Sequence, residues 1–253
     1  MPTSGADLAA PCIEFDDVVA GYGELVILDG LSLRAGRGRI TLLIGPNGAG
    51  KSTALRALFG MVHIRSGRIR LDGADITGAA PRTLLTRHGV AFVPQGRNLF
   101  GQLSVYENLE LGGITLGMAT ARARIPEVLA RFPGMAERLR RPAGSLSGGE
   151  QKQLEVGRAL LLRPRVLLVD EPSVGLSPRV VGDVFRLLRE LADAGTTVLI
   201  VEQNVRRALA VADDAIALAS GRQVLHRRAD ELLSDPDLER LFLGGARAVS
   251  SSA

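Results

Sequence analysis

The chain has 253 residues, 46% of them apolar and 23% charged, which is enough to bury a core as one large domain and excludes a disordered chain. Its net charge of +4 comes from scattered arginines, so it suits a nucleotide or an acidic membrane face as well as a nucleic acid. The single cysteine, Cys12, excludes an internal disulfide or a cysteine metal cluster. Residues 1–7 lack the basic start of a signal peptide, and no apolar run approaches the roughly 20 residues that span a bilayer, so a soluble intracellular chain is expected.

Residues 1–12 read as a loose tail. Alternation over 13–19 predicts a strand with one wet face, and Gly21-Tyr22-Gly23 reads as a turn after it. By spacing alone Tyr22 fits either a core tyrosine or an exposed ring that can stack on a nucleobase. Residues 25–28 and 31–33 read as two short strands, and 40–44 as a buried one. A helix over 54–59, stopped by Gly60, follows the stretch Gly45-Pro46-Asn47-Gly48-Ala49-Gly50-Lys51-Ser52, with Thr53 next. This is the phosphate-loop pattern in its strand–loop–helix context. Its glycines let the backbone wrap a phosphate, so that N–H groups and the helix N-terminus face negative charge. In such a loop Lys51 reaches the β- and γ-phosphates and the Ser52 hydroxyl holds Mg2+. Lys51 and Lys152 are the chain's only lysines, so basic composition alone does not account for a lysine at this position.

Residues 67–73 predict a strand ending in an Asp-Gly turn, 81–88 a short helix, and 89–93 a buried strand broken by Pro94-Gln95-Gly96. Gln95, at that strand end, is either a turn glutamine or an amide that reaches a metal or a water. From 99 to 144 the pattern is helical. Ser104 to Glu107 forms a capping box, and a second helix over 119–132 is expected to break near Pro126. Ser147-Gly148-Gly149-Glu150 is another capping box, opening a helix that Pro164 ends. Its two glycines weaken the first turn but let a phosphate approach bare N–H groups.

The apolar run 166–169, preceded by Arg165, ends in Asp170, Glu171 and Pro172. An Asp at such a strand end helps hold Mg2+ in phosphate-loop ATPases, and Glu171 is placed to accept the proton of an attacking water. The structural alternative is an acidic turn that caps the next helix. Ser177-Pro178 caps and starts a helix to residue 194, closed by Gly195. A buried strand over 196–201 ends at Glu202-Gln203-Asn204. A helix over 205–212, a strand over 215–219, a turn at Gly221 into 224–225 and a helix over 230–243 complete the chain, with a frayed end.

Taken together, these signals resemble the ATP-binding-cassette ATPases over roughly residues 13–245. The phosphate loop matches Gly45 to Ser52, the signature motif matches Leu146-Ser147-Gly148-Gly149-Glu150-Gln151, the glutamine loop matches Gln95, and the acidic strand end matches Asp170-Glu171. Tyr22 falls where the family places an adenine-stacking aromatic, and 173–177 where it places a loop that crosses between subunits. The resemblance implies an α/β phosphate-loop NTPase fold with a mixed RecA-like core sheet, an N-terminal antiparallel β-subdomain, and a helical subdomain at about 97–160. Tails of 1–12 and 246–253 would flank the domain. It further implies ATP and Mg2+ as ligands, the metal held by Ser52, Gln95 and Asp170. Two cassettes would meet head to tail, each ATP lying between Lys51 of one and Ser147, Gly148, Gly149 and Glu150 of the other.

One position departs from the family pattern. Many cassettes carry a γ-phosphate-contacting histidine where this chain has Gln203, which can donate a hydrogen bond but carries no charge. Glu202-Gln203-Asn204, the run from Pro94 to Arg97 and the ending Phe242-Leu243-Gly244-Gly245 resemble the ATPase subunits of branched-chain amino-acid importers. In those, two cassettes pair beneath two membrane permeases on the inner face of the membrane, and a periplasmic or extracellular binding protein delivers substrate. The permease helices would dock around Arg97, Leu99, Phe100 and Tyr106. Importers of urea or short amides share these features. A soluble ATPase acting on ribosomes or nucleic acid is the competing class, and a cassette that binds ATP without turnover is a third. A coiled-coil arm or basic tail is missing, so no nucleic acid is expected; Glu171 argues against the cassette without turnover.

Overall fold

The structure, a computed structural model, describes residues 11–96 and 98–235. Arg97 and the ending at 242–245 therefore lie outside the described residues, as do the stretches expected to form the two tails, apart from Pro11 and Cys12. Those two residues already belong to the first strand, β1 (Pro11–Tyr22), so the expected tail is shorter than predicted. Tyr22 closes that strand instead of sitting in a turn, because it pairs with Leu25 across a tight hairpin into β2 (Leu25–Gly36). The two short strands expected over 25–33 are one strand. Gly30, in the left-handed region at φ 76°, carries the backbone through the irregularity that looked like a break.

After β3 (Ile40–Ile44), helix α1 (Lys51–Leu58) starts three residues before its apolar pattern does, directly on the loop's lysine. Strand β4 (His63–Leu71) turns through Asp72-Gly73, both at positive φ, into β5 (Ala74–Asp75). That is the left-handed pair a two-residue hairpin turn requires. Next come α2 (Pro81–Arg87), β6 (Val90–Val93) and the helical insertion of α3 (Val105–Gly112), α4 (Met118–Arg131), α5 (Pro133–Ala136) and α6 (Gly148–Leu160). Helix α4 runs through Pro126 without the predicted break. Its neighbours explain this, since Ile125 and Val128 are buried in the core of the insertion and hold both halves in register.

Strand β7 (Val166–Asp170) leads to α7 (Pro178–Asp193), where Ser177 occupies the capping position but makes no side-chain cap bond. Then β8 (Thr197–Val201), α8 (Val205–Leu209), β9 (Asp214–Ala219), β10 (Arg222–Arg228) and α9 (Ala229–Leu233) follow. Helix α8 is shorter than the sequence suggests, and the helix expected over 230–243 is described only as α9, its part beyond residue 235 lying outside the described residues.

Two sheets result. The first is antiparallel in the order β2-β1-β4-β5, and the second is mixed, β10-β9-β3-β8-β7-β6, with only the β10–β9 pair antiparallel. Strands β3, β7 and β8 are buried at every residue, which is why they read as unbroken apolar runs. Their side chains alternate between two cores. Leu42, Ile44, Leu167, Val169, Val198 and Ile200 face the helical side; Leu43, Leu168, Leu199 and Val201 face α1 and the antiparallel sheet. The strands β3 and β7 end side by side with β8 between them, so the phosphate loop, Asp170-Glu171 and Glu202-Gln203 emerge at one edge. Ligands bind at the carboxyl ends of strands in open α/β sheets.

Candidate nucleotide site at the strand ends

The loop from Gly45 to Gly50 is shaped by close approaches. A Cβ on Gly45 would lie 2.2 Å from the Leu218 carbonyl oxygen, and one on Gly50 would lie 2.9 Å from Leu28 Cδ2. Those two glycines let the loop pack onto β9 and β2. Gly48, at φ 81°, has nothing within 4 Å of a Cβ position, so here the loop is open on one side to an incoming group. Pro46 and Asn47 are exposed beside it, and Ala49 is buried under it.

Lys51 is 6% exposed and curls back over its own loop, its Nζ donating to the carbonyls of Gly45 at 2.8 Å and Pro46 at 2.9 Å. Burial pulls its pKa below the usual lysine value, an effect opposed by Glu171 and Asp170. Helix α1 has no side-chain cap, so its first N–H groups are left to an external acceptor. A cation and bare amides converging on an open glycine loop form an anion site. Thr53, in the first turn, is buried.

One residue beyond Lys51, Ser52 Oγ donates to Asp170 Oδ1 at 2.8 Å, joining the helix start to the end of β7. The other oxygen of Asp170 is buried and has no hydrogen-bond partner; Arg56 Nη2 stands 3.9 Å from it. Burial raises the Asp170 pKa above the usual carboxylate value, against the Ser52 bond and the Arg56 charge. An orphaned carboxylate oxygen beside a serine hydroxyl fits a magnesium ion that takes its remaining ligands from phosphate and water. No cluster of three His, Cys, Asp or Glu side chains suited to a metal occurs among the described residues.

The buried charge has a cost that sets up a test. Asp170→Asn removes a buried anion whose second oxygen makes no hydrogen bond and keeps an oxygen for Ser52. The nucleotide-free variant is expected to melt about 2–6 °C higher than wild type, while hydrolysis falls by about 100-fold or more. Thermal denaturation and steady-state ATPase assays check the two halves.

Glu171 sits at φ 48°, a left-handed conformation that costs a side-chain-bearing residue of order 1–3 kcal/mol. Its N–H donates to the Val201 carbonyl at 2.9 Å, anchoring the turn to β8. Both carboxylate oxygens are engaged by glutamines: Gln95 Nε2 donates to Oε2, and Gln203 Nε2 donates to Oε1 at 2.8 Å. Each carboxylate oxygen has a second lone pair left to accept a proton. The structure thus brings Gln95, Glu171 and Gln203, from three separate strand ends, into one cluster.

Tyr22 has 43% of its surface exposed, which favours the exposed ring over the core tyrosine. Its hydroxyl accepts from Arg56 Nη1 at 3.3 Å, and the same guanidinium faces Asp170. Sequence reading missed Arg56. Its signal was the spacing, since it lies one helical turn after Ser52 on the same face of α1. Glu202 was given no role by the sequence either, since nothing local shows what it bonds; it is 1% exposed and accepts four hydrogen bonds.

The signature residues form a second group. Ser147 caps α6 in a full capping box with Glu150, and Arg138 holds Glu150 at 2.9 Å. Gly148 lies beside the 173–177 loop, a Cβ there being 3.7 Å from the Gly175 carbonyl oxygen. At Gly149 the fold adds a packing requirement. A Cβ at that position would stand 2.7 Å from Val180 Cγ1, so the missing side chain lets α6 pack against α7.

Comparison with known proteins agrees with this geometry. The family model for the ABC transporter domain matches residues 28–174. The chain is 41% identical over 233 residues to the high-affinity branched-chain amino acid transport ATP-binding protein BraG of Pseudomonas aeruginosa, covering 92% of this chain and 100% of that one. It is also 41% identical to LivF of Archaeoglobus fulgidus, named for branched-chain amino acid transport, across 89% of this chain and 95% of that one. A crystal structure of the ADP conformation of an ATP-binding cassette superposes with a TM-score of 0.83 at 29% identity, over 93% of this chain and all of that one. The chain belongs to the ABC transporter family, as one of its ATP-binding cassettes.

Proposed function

We propose that this protein is the ATP-hydrolysing subunit of an importer for branched-chain amino acids. The observation that carries the reading is the agreement between the strand-end cluster and the 41% identity that extends along the whole of BraG. In this reading the domain spans 13–245, flanked by short tails, with its helical subdomain at about 97–160. The phosphates of ATP lie along Gly45 to Thr53, Lys51 contacts the β- and γ-phosphates, and the adenine stacks on Tyr22. Ser52, Asp170 and Gln95 hold Mg2+, which supplies charge neutralisation of the phosphates when bound.

Glu171 takes a proton from the attacking water as its oxygen bonds to the γ-phosphorus and the bond to the bridging oxygen of ADP breaks. Gln95 and Gln203 hold the Glu171 carboxylate in position, and Gln203 offers its amide to the γ-phosphate. Ser147, Gly148, Gly149 and Glu150 act in trans on the ATP of a second cassette, which requires a dimer. Gln203, in place of a histidine, favours a heterodimer whose partner carries the histidine.

Two permeases receive the chain's movement through the surface that includes Phe100, which is 52% exposed and lies against Arg158. A binding protein outside the membrane supplies the substrate. In this reading the chain sits peripherally on the inner face of the membrane; no helix among the described residues is long and apolar enough to cross it.

Co-purification from native membranes in mild detergent tests the assignment. Two multi-span permeases and a second cassette are the expected partners, and deletion of the gene should abolish most high-affinity uptake of labelled leucine. Recovery with ribosomes or nucleic acid, without any permease, would overturn the transport reading and leave the ATPase chemistry standing.

A further inference from the structure

Glu202 lies between two loops that the reaction uses and touches neither phosphate loop nor signature helix in the hydrogen bonds it makes. Its Oε1 accepts from the Ser173 backbone N–H at 2.7 Å. Its Oε2 accepts from Ser173 Oγ at 2.8 Å, the Gln203 N–H at 3.0 Å and the Asn204 N–H at 3.1 Å. The first two donors belong to the turn after Glu171, and the other two to the turn that carries Gln203. Both turns would otherwise hold bare N–H groups at the end of a buried sheet, and a buried unsatisfied donor is costly.

We infer that Glu202 is a positioning residue that clamps the 171–177 turn and the 203–204 turn into one unit, so that Gln203 and the loop beside the signature helix move together. The clamp places Gln203 Nε2 on Glu171, and through Ser173 it sets where Gly175 and Leu176 lie against Gly148. Any change at Gln203 is thereby transmitted to the signature surface of the same chain without passing through the phosphate loop. The inference rests on the ATPase reading above for its kinetic consequences, and on the hydrogen bonds alone for the clamp.

Charge and acceptor count make the position sensitive. A glutamine at 202 has the same shape but one acceptor oxygen. Its amide nitrogen must face either the Ser173 N–H or the N–H groups of Gln203 and Asn204, so at least one backbone donor of the clamp loses its acceptor and the clamp is weakened whichever way the amide is placed. In Glu202→Gln, hydrogen–deuterium exchange of segments 172–176 and 203–205 is expected to accelerate about tenfold or more, with the strands at 166–170 and 197–201 unchanged. ATP affinity should stay within about twofold, while kcat falls about 10- to 100-fold because the reacting groups are misplaced. Adding Gln203→Ala to Glu202→Gln should cost little more than either alone, since both act through one contact. Glu202→Asp, which keeps two acceptor oxygens, should recover part of kcat.

Unchanged exchange in both turns, accelerated exchange throughout the domain, or fully additive losses for the Glu202 and Gln203 variants would each overturn the clamp. A wild-type protein that fails to hydrolyse ATP would count against the ATPase reading instead, and the exchange comparison would still decide the clamp.

Discussion

Glu171→Gln is expected to lower kcat for ATP hydrolysis by about 100- to 10,000-fold while ATP affinity changes by no more than a few fold. The expectation follows from the geometry around this side chain. Its backbone is held in the left-handed region and tied to Val201, and its carboxylate is fixed from two sides by Gln95 and Gln203. A group so restrained is set for one direction of proton transfer. The amide of a glutamine fits the same space but has no lone pair on nitrogen for a proton, and it presents a donor to one of the two neighbouring amides. Binding depends on the phosphate loop and on Ser52, which Glu171 does not contact through hydrogen bonds. Equilibrium ATP binding together with single-turnover hydrolysis checks the split. A variant whose hydrolysis equals that of wild type would remove Glu171 from the role of base.

Lys51→Ala is the second large effect, and it differs in kind. Here ATP affinity itself should fall about 10- to 100-fold, the equivalent of one charge-assisted contact, and kcat should fall further because the same charge meets the developing negative charge of the transition state. The ammonium is already drawn into the curl of the loop by the carbonyls of Gly45 and Pro46. The folded protein therefore holds the cation close to the place where a phosphate enters. Lys51→Arg should fail almost as badly. The guanidinium is planar and larger than an ammonium, and it cannot occupy the same pair of carbonyls inside a loop pinned by Gly45 and Gly50. Isothermal titration with ATP in the presence of magnesium gives the affinities. Wild-type affinity in the arginine variant would show that the site needs only a positive charge.

The difference between the two substitutions mirrors how the site was read. Lys51 and Ser52 were legible because local spacing alone places them, on a loop between a strand and a helix. The Asp170-Glu171 pair was legible for the same reason, being the end of an apolar run. Gln95 and Gln203 were found as polar residues at strand ends, but their meeting on a single carboxylate was not visible, since they are separated by 108 positions in sequence and by the strand β7 in the sheet. Arg56 and Glu202 stayed hidden because each acts across the fold, on Asp170 and on Ser173.

Errors in the elements have the same origin. Pro126 and Gly30 mark breaks in a local pattern, yet α4 and β2 continue through them because buried neighbours and strand pairing on both sides outweigh the local penalty.

By itself, then, the sequence determined the place of most strands and helices, the phosphate loop, the acidic strand end and the capped signature helix, because each depends on interactions within about a dozen residues. Only the tertiary structure decided which strand ends stand side by side, that Glu171 is gripped by two glutamines, and that a buried Glu202 joins two turns. Those contacts depend on the order β9-β3-β8-β7-β6 in the sheet. That order is set by burial of both sheet faces over the whole chain, a sum of small apolar terms that no local window contains.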